Sequence, residues 1–311
     1  MSTKQISSVR EFFSHPAVPV VSLDAPSLDR AGVQLWIQQE YLLHPEVSGN
    51  KWRKLKYNLL EAARQSVTQL VTVGGAYSNH LAAVAAAGAA LGFSTLGYVR
   101  GERAIQLNPT LQYCVAQGME LRYLDRPTFR AARTDPRPLL AGLTGKPYYL
   151  PEGGTNALAV RGCAEMWEAL PATLRPDVAA ICAGTGGTAA GWISGAPAAT
   201  RVEVYPALKG DWMKAEIQKW LPAAPAAPWY CLPDYHFGGY ARTTPVLLEF
   251  IRNFRQQFGL PLDPVYTGKL FYGLMDRIDK GIYPWGTTIL AAHTGGLQGI
   301  RGFEERTGER L

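Results

Sequence analysis

The sequence alternates short apolar runs with helical patterns along most of its length, and this alternation constrains the fold more than any other feature. Runs that predict strands ending in glycine stand at 69–75 ("QLVTVGG") and 95–101 ("TLGYVRG"), each followed by a helical pattern. At 178–195, "VAAICAGTGGTAAGWISG" predicts a strand, a glycine loop and a helix in succession. Such alternation is typical of βα units in a parallel sheet, whose strands are buried on both faces. We therefore predict an α/β protein with two lobes and a ligand at the carboxyl ends of the strands.

The composition excludes several classes of protein. A chain of 311 residues can bury a large core and usually forms two domains or one large α/β unit. Hydrophobic content of 47% and charged content of 18% exclude a disordered or fibrous protein. The net charge of +6 comes without a basic stripe interleaved with aromatics. We therefore expect no nucleic-acid partner and favour a small anionic ligand.

The sequence predicts a cytoplasmic protein without a membrane segment or a metal site. The amino-terminal segment "MSTKQISSVREFF" lacks the apolar region of a signal peptide, and the longest apolar run, 81–93, is too short to span a bilayer. The cysteines form no CxxC pair and have no histidine spacing that would bind zinc. They are typical of reduced thiols in a cytoplasmic protein.

The loop after the strand at 178–183 predicts a phosphate site. Side chains are small where main-chain amides must approach a ligand, and a helix begins directly afterwards; the loop residues are Gly184, Thr185, Gly186, Gly187 and Thr188. Such a loop directs N–H groups and the positive end of a helix towards an anion. Two alternatives remain, a tight turn without a ligand and a dinucleotide site. Neither G-x-G-x-x-G nor a P-loop lysine is present, so a single phosphate monoester fits better than a pyrophosphate.

The segment "GGAYSNHLAA" at 74–83 has the same construction on the other lobe. Two glycines end a strand, and Ser78 and Asn79 are candidate N-caps of an alanine-rich helix. Capping alone explains one of these residues. Together, Ser78, Asn79 and His80 supply a hydroxyl, an amide and an imidazole at a helix amino terminus, which favours a carboxylate site.

The segment "SGNKWRKLKY" at 48–57 contains four cations in ten positions, Lys51, Arg53, Lys54 and Lys56. Most short basic runs are solvated helix faces, and this alternative stays open from the segment alone. Combined with a phosphate loop and a carboxylate site, however, a lysine after Gly-Asn at a helix start suggests pyridoxal phosphate. That cofactor needs an amine for its aldehyde and an anion site for its phosphate.

Four ordered motifs carry a resemblance to a known family: "SGNKWRKLKY", "GGAYSNH", "GTGGT" and "DPVYTGK" at 263–269. From about residue 16 to 300 the chain resembles pyridoxal phosphate enzymes of the tryptophan synthase β-subunit fold (fold type II). The similarity is closest to the branch of 1-aminocyclopropane-1-carboxylate deaminase and D-cysteine desulfhydrase. The resemblance implies a homodimer of two-domain chains, each domain a mostly parallel sheet flanked by helices. Residues 1–48 and 150–311 would form the large cofactor-binding domain, and 49–149 the small one.

The resemblance also implies roles for individual residues. Lys51 would be the aldimine lysine, and Asn79 would contact the 3-hydroxyl of the pyridine ring. The phosphate would be bound by Lys54 with Thr185, Gly186, Gly187 and Thr188. The substrate would be bound by Ser78, Asn79 and His80, with Ser78 also a possible acid or base. Tyr266 and Tyr240 would flank the substrate as catalytic aromatic hydroxyls.

The resemblance implies that the residue at position 267, here Thr267, distinguishes the deaminase branch of the family from the desulfhydrase branch. In the deaminase branch this position is a glutamate that keeps the pyridine nitrogen protonated, whereas threonine occurs in the desulfhydrase branch. We therefore expect a largely neutral nitrogen and a D-cysteine desulfhydrase-like β-elimination that gives an α-keto acid and ammonia. The alternatives are a 1-aminocyclopropane-1-carboxylate deaminase and a protein that binds the cofactor without turnover.

The sequence departs from the family pattern at Trp52, at "AY" before Ser78, after Tyr240 and in the upstream "QQEYLLHPE". We expect all four departures near the substrate.

Overall fold

The computed structural model describes residues 3–14, 18–221 and 224–311, and these residues form two sheets. The strands are β1 (Val20–Leu23), β2 (Gln34–Gln38), β3 (Gln69–Gly75), β4 (Ser94–Arg100), β5 (Met119–Leu124), β6 (Pro147–Leu150), β7 (Val178–Ala183), β8 (Arg201–Pro206), β9 (Trp229–Cys231) and β10 (Thr288–Ala292).

The two sheets are almost wholly parallel. The six-stranded sheet has the order β1-β2-β10-β7-β8-β9, and only the β1–β2 pair is antiparallel. The four-stranded sheet has the order β5-β4-β3-β6 with all pairs parallel. The central strands β3, β4 and β7 are buried along nearly their whole length. The predicted α/β architecture is confirmed.

Helices connect the strands and cover the sheets. They are α1 (Thr3–Phe12), α2 (Pro26–Ala31), α3 (Asn50–Arg64), α4 (Asn79–Leu91), α5 (Pro109–Ala116), α6 (Arg126–Thr134), α7 (Arg137–Leu140), α8 (Ala157–Ala164), α9 (Gly187–Gly195), α10 (Met213–Gln218), α11 (Pro245–Phe258), α12 (Thr267–Asp279) and α13 (Gln298–Thr307). Short 3-10 turns lie at Glu40–Leu42, Glu152–Gly154, Glu165–Trp167 and Pro233–Tyr235.

Local capping chemistry explains where several helices begin. A side-chain oxygen accepts a hydrogen bond from the first turn of α4, α5, α6, α8 and α11, and the capping residues are Ser78, Asn108, Asp125, Asn156 and Thr244. Glycines in the left-handed conformation end α4 and α11. Each cap fixes the residue at which its helix begins.

The hydrophobic cores bear on the domain boundaries. Val9 of α1 and the adjoining Phe13 pack in the same core as Leu55 of α3 and the helices that cover the four-stranded sheet. Strand β6 belongs to that sheet and ends at Leu150, one residue beyond the predicted boundary at 149. The division into 1–48 with 150–311 and 49–149 stays a prediction.

In the ranges that the structure describes, no helix is long and apolar enough to cross a membrane.

Candidate active site

A cavity lies where strands of both sheets end. The segments after β3, β6, β7 and β10 all contribute to its walls. An inner part of about 80 Å³ is bordered by Lys51 and Lys54, and an outer part of about 580 Å³ opens towards solvent. The residues common to both linings are Ser78, Asn79, Gly153, Gly184, Thr185, Tyr240, Tyr266 and Gly296. The ligand site is therefore at the carboxyl ends of the strands, as such folds require.

The start of α3 reaches this cavity because two backbones approach closely. Gly49 has φ of 62°, and a Cβ there would lie 2.1 Å from the carbonyl oxygen of Thr294. Only glycine fits this position. The main-chain N–H of Asn50 donates to the same carbonyl at 3.0 Å, and its side-chain Nδ2 donates to Thr188 Oγ1 at 2.9 Å. These contacts place Lys51, the next residue, in the inner cavity.

The four cations of the basic segment have different partners. Arg53 donates to both carboxylate oxygens of the buried Glu40, at 2.9 and 3.0 Å, and Lys56 pairs with Glu165 at 2.6 Å. Lys51 and Lys54 make no ion pair with any carboxylate of the described residues. The segment is therefore neither a solvated face nor a uniform basic patch, since two of its four cations remain without a counter-anion.

Lys51 and Lys54, which pair with no carboxylate of the described residues, donate only to neutral acceptors. Lys51 Nζ lies 2.9 Å from Asn50 Oδ1. Lys54 Nζ, on a side chain that is 2% exposed, lies 2.9 Å from the carbonyl oxygen of Gly153 and 3.0 Å from Thr155 Oγ1. Burial lowers the pKa of Lys51 to about 8; burial, and then the charge of Lys51, lowers the pKa of Lys54 to about 7. A bound anion would reverse both shifts.

The glycine loop faces these amines. Gly186 has φ of 81°, and α9 begins at Gly187, where a Cβ would come within 2.6 Å of Thr155. Thr185 Oγ1 lies 2.7 Å from Thr155 Oγ1, and Thr188 is buried at the start of α9. The N–H groups of a helix start and two cations therefore converge on the inner cavity, which is the arrangement expected of an anion site.

The residues of the Ser-Asn-His motif occupy different positions around the cavity. Ser78 caps α4, and its Oγ accepts from the N–H groups of His80 and Leu81 at 3.2 and 3.3 Å. Asn79 Oδ1 and both ring nitrogens of His80 are buried and have no hydrogen-bond partner among the residues that the structure describes. Burial, with the charges of Lys51 and Lys54, lowers the pKa of His80 well below its usual value, so this ring is neutral.

Tyr266 and Tyr240 lie together on the cavity wall. Their ring centroids are 6.1 Å apart in an edge-to-face arrangement. Burial raises the pKa of Tyr266 well above its usual value, so its hydroxyl keeps its proton at neutral pH. A Cβ at Gly184 would lie 2.8 Å from the Tyr266 ring, which explains a glycine there.

Thr267 is fully buried at the start of α12, and it is not among the residues that line the two cavity parts. Its hydroxyl donates to Asp263 Oδ2 at 2.7 Å and accepts from the main-chain N–H of Asp263 at 2.9 Å. The predicted contact of Thr267 with the cofactor stays a prediction.

The sequence interpretation missed some residues and misplaced two of the four departures from the family pattern. Gly153 and Thr155 of the segment "PEGGTN" at 151–156 accept from Lys54, although no role was assigned to that segment. The sequence pattern that could have identified this segment as part of the site is a strand followed by glycines and a threonine, the same pattern as in the phosphate loop.

Trp52 was expected near the substrate, but it is 2% exposed, packs on Phe13 with centroids 5.1 Å apart, and lines neither cavity part. The upstream segment "QQEYLLHPE" at 38–46 was expected there too, but it contributes no lining residue to either part, and its Glu40 pairs with Arg53.

The residues present fit a phosphorylated pyridine aldehyde. The buried amines of Lys51 and Lys54, without carboxylate partners, suit an aldehyde and a phosphate respectively. The unpaired oxygen of Asn79 and the unpaired ring nitrogens of His80 require a polar group in the cavity, because buried polar atoms without partners are costly.

The comparisons with known proteins agree with this chemistry. The family model "Pyridoxal-phosphate dependent enzyme" matches residues 15–295, and the chain belongs to this family. Its resemblance to the deaminase and desulfhydrase branch is also confirmed, and its cofactor is pyridoxal phosphate. The protein is thus a pyridoxal phosphate-dependent lyase or deaminase of fold type II that acts on an amino acid.

Particular relatives define this branch. A "Putative 1-aminocyclopropane-1-carboxylate deaminase" of Pyrococcus abyssi is 30% identical over 90% of this chain and 89% of its own length. The "Bifunctional D-cysteine desulfhydrase/1-aminocyclopropane-1-carboxylate deaminase, mitochondrial" of Arabidopsis thaliana is 29% identical over 92% of this chain and 78% of its own. A crystal structure of an "ACC deaminase homologue" superposes with a TM-score of 0.80 at 25% identity, covering 98% of each chain.

Proposed function

We propose that this enzyme is D-cysteine desulfhydrase-like and eliminates the β-substituent of a small amino acid. With D-cysteine, the Cα–H and Cβ–S bonds break, the sulfur leaves with the electron pair, and addition of one water gives pyruvate, ammonia and hydrogen sulfide. The observation that carries the proposal is the pair of buried amines, Lys51 and Lys54, that meet only neutral acceptors in the inner cavity. The chemistry of the bound cofactor is to withdraw electrons from the Cα of the substrate.

On this proposal, Lys51 binds the aldehyde and afterwards takes the Cα proton. Before an anion binds, its pKa of about 8 leaves a useful fraction of neutral amine near pH 7 for the reaction with the aldehyde. Lys54 binds the phosphate together with Thr185, Gly186, Gly187 and Thr188. Its pKa would rise towards the ordinary value of a lysine beside that dianion.

The remaining residues would orient the substrate and supply a proton. Ser78 keeps its hydroxyl proton for the substrate carboxylate, because its oxygen accepts from two main-chain N–H groups. Asn79 would contact the ring hydroxyl, and His80 would act as a neutral donor beside it. Tyr266 is protonated and therefore serves as an acid for the leaving group, with Tyr240 beside it.

Two observations bear on the choice between elimination and cyclopropane opening. First, Thr267 has no carboxylate that could keep the pyridine nitrogen protonated. Second, its hydroxyl proton is already donated to Asp263. A less electron-withdrawing ring suits the expulsion of a good leaving group better than the opening of a cyclopropane. Deamination of 1-aminocyclopropane-1-carboxylate is the second candidate, because relatives carry that name. Binding of the cofactor without turnover is the third.

Keto-acid release separates these candidates. D- and L-cysteine should give pyruvate and sulfide, whereas the cyclopropane amino acid would give 2-oxobutanoate. The variant Lys51→Ala should lose at least about a thousandfold in turnover and should no longer be labelled by borohydride. Lys146→Ala, at an exposed lysine outside the cavity, is the matched control. Full turnover in Lys51→Ala would refute the assignment, and absence of turnover with all three substrates would favour binding alone.

A homodimer and a cytoplasmic location remain part of the proposal. Sedimentation of the cofactor-loaded protein tests the first, and fractionation of the source cells tests the second.

A further inference from the structure

The outer cavity is larger than a cysteine-sized substrate requires. Its volume of about 580 Å³ falls within the range of sites for much bigger ligands. Aromatic side chains form a large part of its wall, and they are Tyr77, Tyr149, Trp212, Trp220 and Phe303. The cavity therefore has room for a substrate side chain that extends beyond the reacting carbon.

The charged residues of this wall are not all paired. Each carboxylate is satisfied. Glu152 pairs with Arg133 at 3.1 Å, Glu216 pairs with Lys219 at 2.6 Å, and Asp263 accepts from three consecutive main-chain N–H groups at 265–267. The remaining cations of the wall are Arg100 and Arg306, and in the described parts of the chain neither meets a carboxylate. Their guanidinium groups lie over aromatic rings instead, at 5.5 to 5.9 Å from the ring centroids.

Of these two cations, Arg100 is the better placed to contact the side chain of a bound amino acid. It ends β4, and its register partner is Gly75, the last residue of β3. A Cβ at Gly75 would lie 3.6 Å from Arg100 Nη2, and the carbonyl of Gly75 accepts from the N–H of Ser78 at 3.0 Å. The guanidinium therefore borders the turn that carries the proposed carboxylate site, on its solvent side.

We propose that the outer cavity selects amino acids whose side chain ends in an anion, which Arg100 binds. The inference rests on the proposed function, because it places the reacting carbon at Ser78 and Lys51. A carboxylate, sulfonate or phosphate fits the bidentate donors of a guanidinium, whereas a neutral side chain leaves this cation without an anionic partner. Arg306 of α13, whose guanidinium lies 5.8 Å from the ring centroid of Tyr77 in the turn before Ser78, adds positive potential to the same wall.

The test uses amino acids that differ only in charge. The holoenzyme is titrated with D- and L-aspartate against D- and L-asparagine, and with glutamate against glutamine. The visible absorbance of the bound cofactor reports the dissociation constant without any need for turnover. We expect the acid to bind on the order of tenfold more tightly than its amide, with a preference that falls as salt screens the exposed guanidinium.

Variants then locate the preference. Arg100→Met should abolish it and leave the affinity for the amides within about twofold, as expected for a group that contacts only the side-chain anion. Arg122→Met is the matched control: Arg122 lies on the neighbouring strand β5, pairs with Glu120 and does not line the cavity. It should keep the wild-type preference.

Three results would overturn the inference. The first is equal affinity of the wild-type enzyme for acids and amides. The second is a uniform loss of affinity for all amino acids in Arg100→Met, which would place the guanidinium on the α-carboxylate. The third is a holoenzyme whose absorbance responds to no amino acid at all, which would remove the proposed function as well and is therefore distinguishable from the other two.

Discussion

Replacement of Lys54 by methionine should stabilise the protein without cofactor while weakening the binding of cofactor. The lysine is 2% exposed and has no carboxylate partner, so the folded protein without a bound anion bears the cost of a buried charge. Methionine has a similar length and no charge. The change therefore removes the cost and also removes the cation that the phosphate needs.

The magnitude follows from the pKa of this amine. It falls from 10.5 to about 7, or about 3.5 pKa units, on folding. At about 1.4 kcal/mol per unit, the buried charge costs at most about 5 kcal/mol. Methionine leaves the carbonyl of Gly153 with one donor fewer, which costs about 1–3 kcal/mol. The variant without cofactor should therefore be more stable than wild type by about 2–4 kcal/mol near pH 7.

The sign of the pH dependence is fixed by the same shift. Between pH 7 and 10.5 the unfolded chain keeps the proton of Lys54 and the folded chain releases it, so the stability of wild type rises with pH in this window. Below pH 7 the cost is fully present. Lys54→Met should lack this rise, so the two unfolding free energies should cross between about pH 8 and 10, where the remaining cost of the charge equals the lost hydrogen bond.

Urea denaturation of the cofactor-free proteins between pH 6 and 9.5 measures the effect. Lys146→Met is the control, because that lysine is exposed and should give a curve parallel to wild type. With cofactor, Lys54→Met should raise the dissociation constant about 10- to 150-fold, the value of one hydrogen bond to a charged group. Parallel pH curves for wild type and Lys54→Met would refute the reasoning.

Two further predictions concern the surroundings of the site. Lys269 donates to three main-chain carbonyls, two of them in the loop that carries Tyr240, so Lys269→Met should speed hydrogen exchange of residues 235–241 and raise KM severalfold with little change in cofactor absorbance. Unchanged exchange in that loop would contradict this role. Glu40→Gln should leave the Arg53 guanidinium buried without its carboxylate and lower the free energy of unfolding by about 3–5 kcal/mol. Urea denaturation at pH 7 measures this loss, and a change below about 1 kcal/mol would show that a neutral amide replaces the carboxylate adequately.

Local patterns in the sequence were sufficient to predict three of the central strands and the helix starts that follow two of them. Apolar runs ending in glycine predicted β3, β4 and β7, because buried parallel strands need apolar residues on both faces. Ser78 and the glycine loop could be predicted because helix capping and main-chain anion sites involve only neighbouring residues.

The partner of each charge could not be predicted in this way. Arg53 and Lys54 are adjacent, yet one pairs with Glu40 and the other meets the segment at 151–156. The separation of Lys54 from Gly153 is 99 residues, so only the packing of α3 beside the end of β6 decides this contact. Trp52 shows the same limit, since its core position depends on packing against Phe13, the residue after α1.

The sequence by itself therefore determined the α/β class, the pyridoxal phosphate chemistry and the residue types available to perform it. These depend on periodicity and on short motifs whose hydrogen bonds are local. The tertiary structure alone decided which cations stay without a counter-anion and which side chains face the cavity. The physical reason is that the charge state and exposure of a side chain depend on what packs against it, and here those neighbours come from distant parts of the chain.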